Sequence, residues 1–248
     1  MGAREDIPFE ETWFHAPVNA VGDRLSLPET EAFHFQTVLR LTPGRPIWVS
    51  NGEGGVFLCR THSMGKSVEI EAAAVRPGLS AAGPPAPPGV HLVLGLLKGR
   101  DLEEPVEGLC QLAVASISLV ITEHTQAFKG QDHARLLERL RAKSLAALKQ
   151  AKKSWLTSIH PPIPLREWRL GHPGDPLILV HPGPDRLPGA RPSRFHVLTG
   201  PEGGFSGPET AWLMEEQACH TLGLGETRIR GTHAPLVACG KLMGLGWM

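Results

Sequence analysis

Phe195-His196-Val197-Leu198-Thr199-Gly200-Pro201-Glu202-Gly203-Gly204-Phe205-Ser206 is the stretch on which the reading of this chain turns. It opens with a β-prone run, Arg194 to Leu198, and breaks at Gly200-Pro201 and again at Gly203-Gly204. Ser206 or Gly207 is placed to cap a helix, with Pro208 near its first turn. Glu209 to Cys219 then has good helix formers and an apolar stripe at Leu213, Met214 and Ala218. The order predicted is strand, glycine loop, helix. Glycine at 200, 203 and 204 removes side chains where a ligand would approach the backbone, and its exposed N–H groups can hold polar ligand atoms. The spacing is not G-x-G-x-x-G and carries no Walker lysine, so no phosphate site is indicated. An ordinary tight strand-to-helix turn fits the same residues.

Working outward, a run of short strands and helices leads up to this loop. Val90 to Leu97 is continuously apolar, as in a buried parallel strand. Helices follow at Asp101–Ala113 and His133–Trp155, and at Ala234–Leu245. Strands are predicted at Ile117–Ile121, Leu177–Val180 and Thr221–Leu224. Such alternation implies an α/β domain with a largely parallel sheet. Residues 1–78 read differently, as short strands at 25–27, 46–49, 55–60 and 67–71 with one helix at Glu29–Leu39. Ser50 to Gly54 is a hairpin signal, and the whole suggests a small barrel of about five strands. Between the two regions lies Leu79 to Gly89, a proline-rich linker placed here as the domain boundary, so that the second domain runs from 90 to 248.

The 248 residues carry a formal net charge of zero, so nucleic-acid binding by bulk charge is excluded and any such contact must be local. One local excess exists. Between Arg135 and Arg169 nine Lys and Arg face two Glu, a plausible phosphate-facing surface whose alternative is a solvated helix face. The four cysteines, 59, 110, 219 and 239, have no metal-ligand or disulfide-framework spacing, so no metal is expected. No signal-peptide pattern opens the chain and no apolar run approaches a membrane span, which makes the cytoplasm the expected location.

Leu198-Thr199-Gly200-Pro201-Glu202-Gly203-Gly204-Phe205-Ser206 resembles the signature loop of the bacterial 16S rRNA uridine-N3 methyltransferases of the RsmE type, a SPOUT-class family. Further segments share the likeness: Leu97-Lys98-Gly99, Thr122-Glu123-His124, Ala147 to Leu156, and Leu222 to Arg230, which resembles a closing L-G-x-x-x-R-L-R loop. His34 to Gly44 is similar to part of the family's PUA-like N-terminal domain. The resemblance implies a trefoil-knotted C-terminal domain, a homodimer, 16S rRNA in the small ribosomal subunit as substrate, and S-adenosyl-L-methionine as cofactor. It places Leu198, Thr199, Gly200, Glu202 and Gly203 on one side of that cofactor, and Leu222, Leu224, Gly225, Ile229 and Arg230 on the other. For Leu222, Leu224 and Ile229 plain core packing is the alternative. Arg230 is the candidate for stabilising charge on the uracil and Glu202 for orienting the cofactor or acting as base. Candidate RNA contacts are Arg40, Lys98, Lys149, Lys152 and Lys153; for Arg40 a favourable charge at a helix end competes. Two departures stand out. Leu109-Cys110-Gln111-Leu112-Ala113 lacks the carboxylate of the family's A-T-E-L-G, and Gly231-Thr232-His233-Ala234 replaces T-E-T-A. They keep open a second reading, a retargeted or non-catalytic RNA-binding or assembly factor of the same fold.

Overall fold

The computed structural model describes residues 12–64, 67–76, 89–98, 100–125 and 133–248. The chain divides into two compact units, one of Met1–Pro87 with Leu148–Leu156, the other of Pro88–Ala147 with Thr157–Met248. The proline-rich stretch at 79–88 lies outside the described residues.

The first unit is a five-stranded mixed sheet. β1 (Trp13–His15), β2 (Arg24–Ser26), β3 (Pro46–Ser50), β4 (Val56–Met64) and β5 (Ser67–Val75) take the order β1-β3-β4-β5-β2. β1 runs parallel to β3, and the other pairings are antiparallel. Alternation along β5 buries Val68, Ile70 and Ala72 and turns Glu69 and Glu71 outward, the period of a half-buried strand. They pack with Phe14, Phe35, Ile47 and Val49 in one core. β1 is not predicted from sequence, since three residues show no period. The predicted helix at Glu29–Leu39 is α1 (Glu29–Phe33) continuing into a π-helical turn, His34–Val38, closed by Leu39 N–H to His34 O at 2.9 Å.

Leu148–Leu156, which the sequence places in the second domain, packs within this first unit. Lys149 Nζ donates to Glu31 Oε1 at 2.6 Å, and Glu31, 2% exposed, also accepts from the His15 N–H. Ser154 O accepts the Gly54 N–H at 2.8 Å and Gly52 O accepts the Leu156 N–H at 2.9 Å. The helix predicted to reach Trp155 therefore stops earlier. α3 spans His133–Gln150. Lys152 takes φ +53, with its N–H on Lys149 O and that of Lys153 on Leu148 O, the paired bonds of a Schellman cap. That frees Ser154 to Leu156 for the β3–β4 hairpin.

The second unit is a six-stranded parallel sheet. Its strands are β6 (Val90–Gly95), β7 (Ser116–Ile121), β8 (Ser158–Pro164), β9 (Leu177–Val180), β10 (Phe195–Thr199) and β11 (Cys219–Leu222), in the order β11-β9-β10-β6-β7-β8. The helices are α2 (Glu103–Gln111), α3, α4 (Leu165–Leu170), α5 (Gly207–Met214) and α6 (Ala234–Gly244). Leu92, Leu94, Ile117, Ile178 and Val197 pack on one side of the strands, and Val93, Val120, Leu179 and Leu198 on the other. Burial on both faces accounts for the unbroken apolar runs. β8 and α4 are absent from the sequence prediction because Pro161, Pro162 and Pro164 argue against a strand; an edge strand tolerates them. Cys219 belongs to β11, and α5 ends at Met214.

Part of the basic stretch is engaged within the fold. Lys143 donates to Glu107 at 2.6 Å and Arg139 to Glu103 at 2.8 Å, tying α3 to α2. Arg169, 4% exposed, is bound to Glu216, and Lys149 to Glu31. Four of the nine cations are thus matched by carboxylates distant in sequence. Among the described residues no helix is long and apolar enough to cross a membrane.

Candidate active site

The parallel strands around β10 deliver their following loops to the same sheet end, the place where α/β sheets hold ligands. β10 is buried throughout and gives way at Gly200 to a turn in which the Gly204 N–H donates to Pro201 O at 2.8 Å, with Gly204 at φ +70. Close approach dictates glycine nearby: a Cβ at Gly95, the last residue of β6, would lie 2.4 Å from Pro201 N. A Cβ at Gly203 would meet His124 Cβ at 3.0 Å, and His124 Nδ1 lies 3.1 Å from Gly203 O.

The loop passes into α5 through a capping box between Ser206 and Glu209. Glu209, 5% exposed, does more than cap. One carboxylate oxygen accepts the Ser206 N–H and the other the Glu123 N–H, both at 2.9 Å, so it fastens the glycine loop to the loop after β7. On the other side, Glu202 Oε1 accepts the Lys98 N–H at 3.1 Å.

The second wall follows β11. Gly225 sits at φ +108. Gly231 packs so closely on Leu97 and the Pro201–Glu202 backbone that an added Cβ would come within 3.3–3.4 Å of them. Arg230 O then accepts the N–H groups of His233 and Ala234, each at 2.9 Å, and α6 begins.

These loops border a half-open cavity of about 540 Å³, within the ordinary range of small-molecule sites. Thr199, Gly200, Glu202 and Gly203 line it from the β10 loop. Leu224, Gly225 and Ile229 line it from the other side. Leu198 and Leu222, assigned to the same walls from sequence, are fully buried core residues of β10 and β11. Leu198 lies one residue short of the end of β10, and Leu222 closes β11 with its side chain in the core, so the walls are reached instead by Thr199 and by Leu224 beyond β11. Arg230 lies instead on an adjoining cleft of about 650 Å³, with Arg228, Glu202, Arg100, Asp101 and His233. Glu202, Arg228, Ile229 and Gly231 border both spaces. Sequence reasoning missed Val180, His181 and Pro182, which also line the cavity; their position at the end of parallel β9 is the signal that marks them.

Of the proposed RNA contacts, Arg40 is exposed at φ +52 just past the π-helical turn, and Lys98 is exposed after β6. Lys152 is the left-handed residue of the α3 cap, Lys153 follows it, and Lys149 is held by Glu31. Gln111 is exposed at the end of α2.

Residues 84–243 match the RNA methyltransferase domain family. The chain belongs to that family. Within it, the RsmE type is the branch indicated. The ribosomal RNA small subunit methyltransferase E of Helicobacter pylori is 28% identical over 127 residues, 51% of this chain. That match spans 55% of the Helicobacter protein. Among solved structures, ribosomal RNA small subunit methyltransferase E from Neisseria gonorrhoeae, bound to S-adenosyl methionine, superposes with a TM-score of 0.83 at 23% identity, over 95% of this chain and 98% of that one. A probable rRNA-methyltransferase from Porphyromonas gingivalis gives 0.74 at 25% identity, over 94% and 98%. The family fold is therefore present over both units, and the methyltransferase match covers the unit that bears the cavity.

Proposed function

We propose that this protein is an S-adenosyl-L-methionine-dependent methyltransferase that methylates N3 of a uridine in 16S ribosomal RNA. The observation carrying this reading is the juxtaposition of two spaces: a cavity walled by glycine backbone, and an arginine-bearing cleft that shares Glu202, Arg228, Ile229 and Gly231 with it. The glycine turn fits the cofactor, because backbone groups at 200–204 and 225 can approach a ligand where side chains would intrude. When bound, the cofactor supplies an electrophilic methyl group on a sulfonium. The chain's own contribution is orientation and charge. Holding donor and acceptor in line supplies several kcal/mol, on the order of the effect of well-oriented reactants. Arg230 and Arg228 stabilise negative charge on the uracil oxygens as N3 loses its proton. Glu202, oriented by the Lys98 N–H, sits where cavity and cleft meet and either orients the cofactor or takes that proton.

In the same reading the second unit is a SPOUT domain with a trefoil knot, and the first a PUA-like barrel. The packing of Gly231 on Leu97, Pro201 and Glu202 supports the knot, since it brings the chain after β11 between the loops after β6 and β10. RNA is contacted by Arg40, Lys152 and Lys153 of the first unit and by Lys98 of the second. Lys149, tied to Glu31, contributes less. The protein acts in the cytoplasm as a homodimer; exposed Val237, Met243 and Leu245 on α6 and just beyond it offer the apolar surface.

The test is transfer. Purified protein with labelled cofactor and 16S rRNA from cells lacking the gene is expected to give N3-methyluridine at one position, located by mass spectrometry of nuclease fragments. Methyl on another atom, or no transfer despite cofactor binding, refutes it. The second outcome is the one predicted by a non-catalytic assembly factor, the reading favoured by Thr232 and His233 on the cleft wall.

A further inference from the structure

Neither Asp185 nor Lys241 lines the cavity, yet both converge on the residue at which its second wall begins. The Gly223 N–H donates to Asp185 Oδ1 at 2.9 Å. Lys241 Nζ donates to Gly223 O at 2.8 Å and to Asp185, 2.8 Å from Oδ1 and 2.7 Å from Oδ2. Both backbone polar groups of Gly223 are thus taken by one ion pair. The three residues come from three walls. Asp185 lies in the loop after β9, which begins with the lining residues His181 and Pro182. Gly223 precedes the lining residues Leu224 and Gly225, and Lys241 is on α6, whose first residue, Ala234, also lines the cavity. The β9 and β11 loops touch here: a Cβ at Gly223 would fall 2.0 Å from Gly183 O. Arg186 and Thr221 add two backbone hydrogen bonds, at 2.8 and 3.1 Å.

We propose that the Asp185–Lys241 pair is a positioning device for the cofactor cavity: it holds the loops after β9 and β11 at one separation and so sets cofactor affinity without touching the ligand. The inference rests on the methyltransferase reading for the ligand's identity. Its logic is that of preorganisation. Glycine at 223 and 225 leaves the second wall many conformations to lose on binding, and fixing Gly223 beforehand removes part of that cost. The side chains of Lys241 and Asp185 are 35% and 39% exposed, and ion pairs so placed add little to global stability. A purely structural role would therefore be nearly silent, whereas a positioning role shows in the loop and in the ligand. The Asp185 carboxyl is held below the usual carboxylate range, first by the Lys241 hydrogen bond and further by the Gly223 N–H, against the opposing effect of burial, so Asp185 stays a carboxylate at neutral pH.

The experiment compares full-length wild type with Lys241→Met, which keeps the aliphatic stem, Asp185→Asn, which keeps an acceptor for the Gly223 N–H, the double variant, and Lys241→Arg. Calorimetric titration with S-adenosyl-L-methionine reads affinity, and hydrogen exchange reads the 223–225 amides. Lys241→Met is expected to bind roughly three- to thirtyfold more weakly, the scale of substitutions that couple to a site without contacting its ligand. The double variant should be little worse than Lys241→Met, because paired residues do not add. Lys241→Arg should recover most of the affinity, and melting temperatures should barely move. Unchanged affinity in folded Lys241→Met, or a loss that follows melting temperature through the whole series, overturns the proposal. Should Lys241→Met not fold, Asp185→Asn is judged by the same criteria. If wild type binds no cofactor, it is the methyltransferase reading that falls. The clamp is then decided by exchange alone: faster exchange at 223–225 in the variants upholds it, and unchanged exchange overturns it.

Discussion

Removing the Glu209 carboxylate should cost more than losing a helix cap. Its two oxygens each accept a backbone N–H at 2.9 Å, from Ser206 within the cap and from Glu123 on the loop after β7. Ser206 and Glu209 are 6% and 5% exposed, so water cannot freely replace the lost acceptor. Glu209→Ala orphans both donors, and a buried unsatisfied donor costs about 1–3 kcal/mol. Two such donors together give about 2–6 kcal/mol, and a value low in that range, about 3 kcal/mol, is expected because the vacated space admits some water. Glu209→Gln should cost about half as much, because its oxygen keeps one donor while its NH₂ faces the other. Ser206→Ala removes only the bond from the Glu209 N–H, at 3.2 Å, and should cost about 1 kcal/mol. A cost that decreases from Glu209→Ala through Glu209→Gln to Ser206→Ala separates a clamp between two loops from a plain cap. Urea unfolding of the three variants measures it. At about 2–4 °C per kcal/mol for a unit of this size, Glu209→Ala should melt roughly 6–12 °C lower. Hydrogen exchange at Glu123 should quicken in both Glu209 variants and stay slow in Ser206→Ala. Glu209→Ala no less stable than Ser206→Ala, with Glu123 still protected, would refute the reasoning.

Arg230→Ala should lower single-turnover methylation by roughly 10²–10³-fold with cofactor affinity nearly unchanged, because Arg230 borders the cleft and not the cavity; equal losses in rate and affinity would make it a binding or structural residue. The protein should also lose stability on acidification between about pH 6.5, the unfolded histidine value, and pH 4. Burial pushes both His196 and His91 down to about 4, for His196 in spite of its hydrogen bond to Asp175. A depressed histidine pKa means that the unfolded chain binds the proton first, so the contribution is complete above the unfolded value and shrinks as pH falls. His196→Asn should flatten urea midpoints across that window, and an equally steep profile in the variant would count against the role given to His196.

What the sequence made legible follows from how local each cause is. The glycine loop could be read because its determinants are consecutive: β10 buried on both faces, then Gly-Pro, Gly-Gly and a Ser-x-x-Glu cap. The parallel sheet could be read because unbroken apolar runs alternate with amphipathic helices. β8 was hidden because three prolines argue against a strand unless its edge position is known, and edge position is a property of the whole sheet. The end of α3 was hidden because its left-handed cap residue is Lys152 rather than glycine. The charge counted over the basic stretch is partly cancelled for a related reason: Arg139, Lys143, Lys149 and Arg169 find Glu103, Glu107, Glu31 and Glu216, and a count over one window cannot contain partners from elsewhere.

The candidate site shows the same division at finer grain. Sequence put Leu198 and Leu222 on the cavity wall beside Thr199, Gly200 and Leu224. In a parallel sheet covered on both faces, a residue within a strand has no free side to offer a ligand. Thr199, at the last position of β10, and Leu224, beyond β11, reach the wall, whereas Leu198 lies inside β10 and Leu222, although the last residue of β11, is buried in the core. The same rule brings in the end of β9 and its loop, Val180 to Pro182, which no motif marked. Arg230 itself borders only the cleft, while its neighbours Arg228, Ile229 and Gly231 border both spaces. By that point the chain has left β11 by eight residues and is turning into α6, and Gly231 is already pressed on Leu97 and Glu202. One loop thus borders both the cavity and the arginine-bearing cleft, with Arg230 on the cleft alone, so a substitution at Arg230 is expected to change rate while leaving cofactor affinity alone.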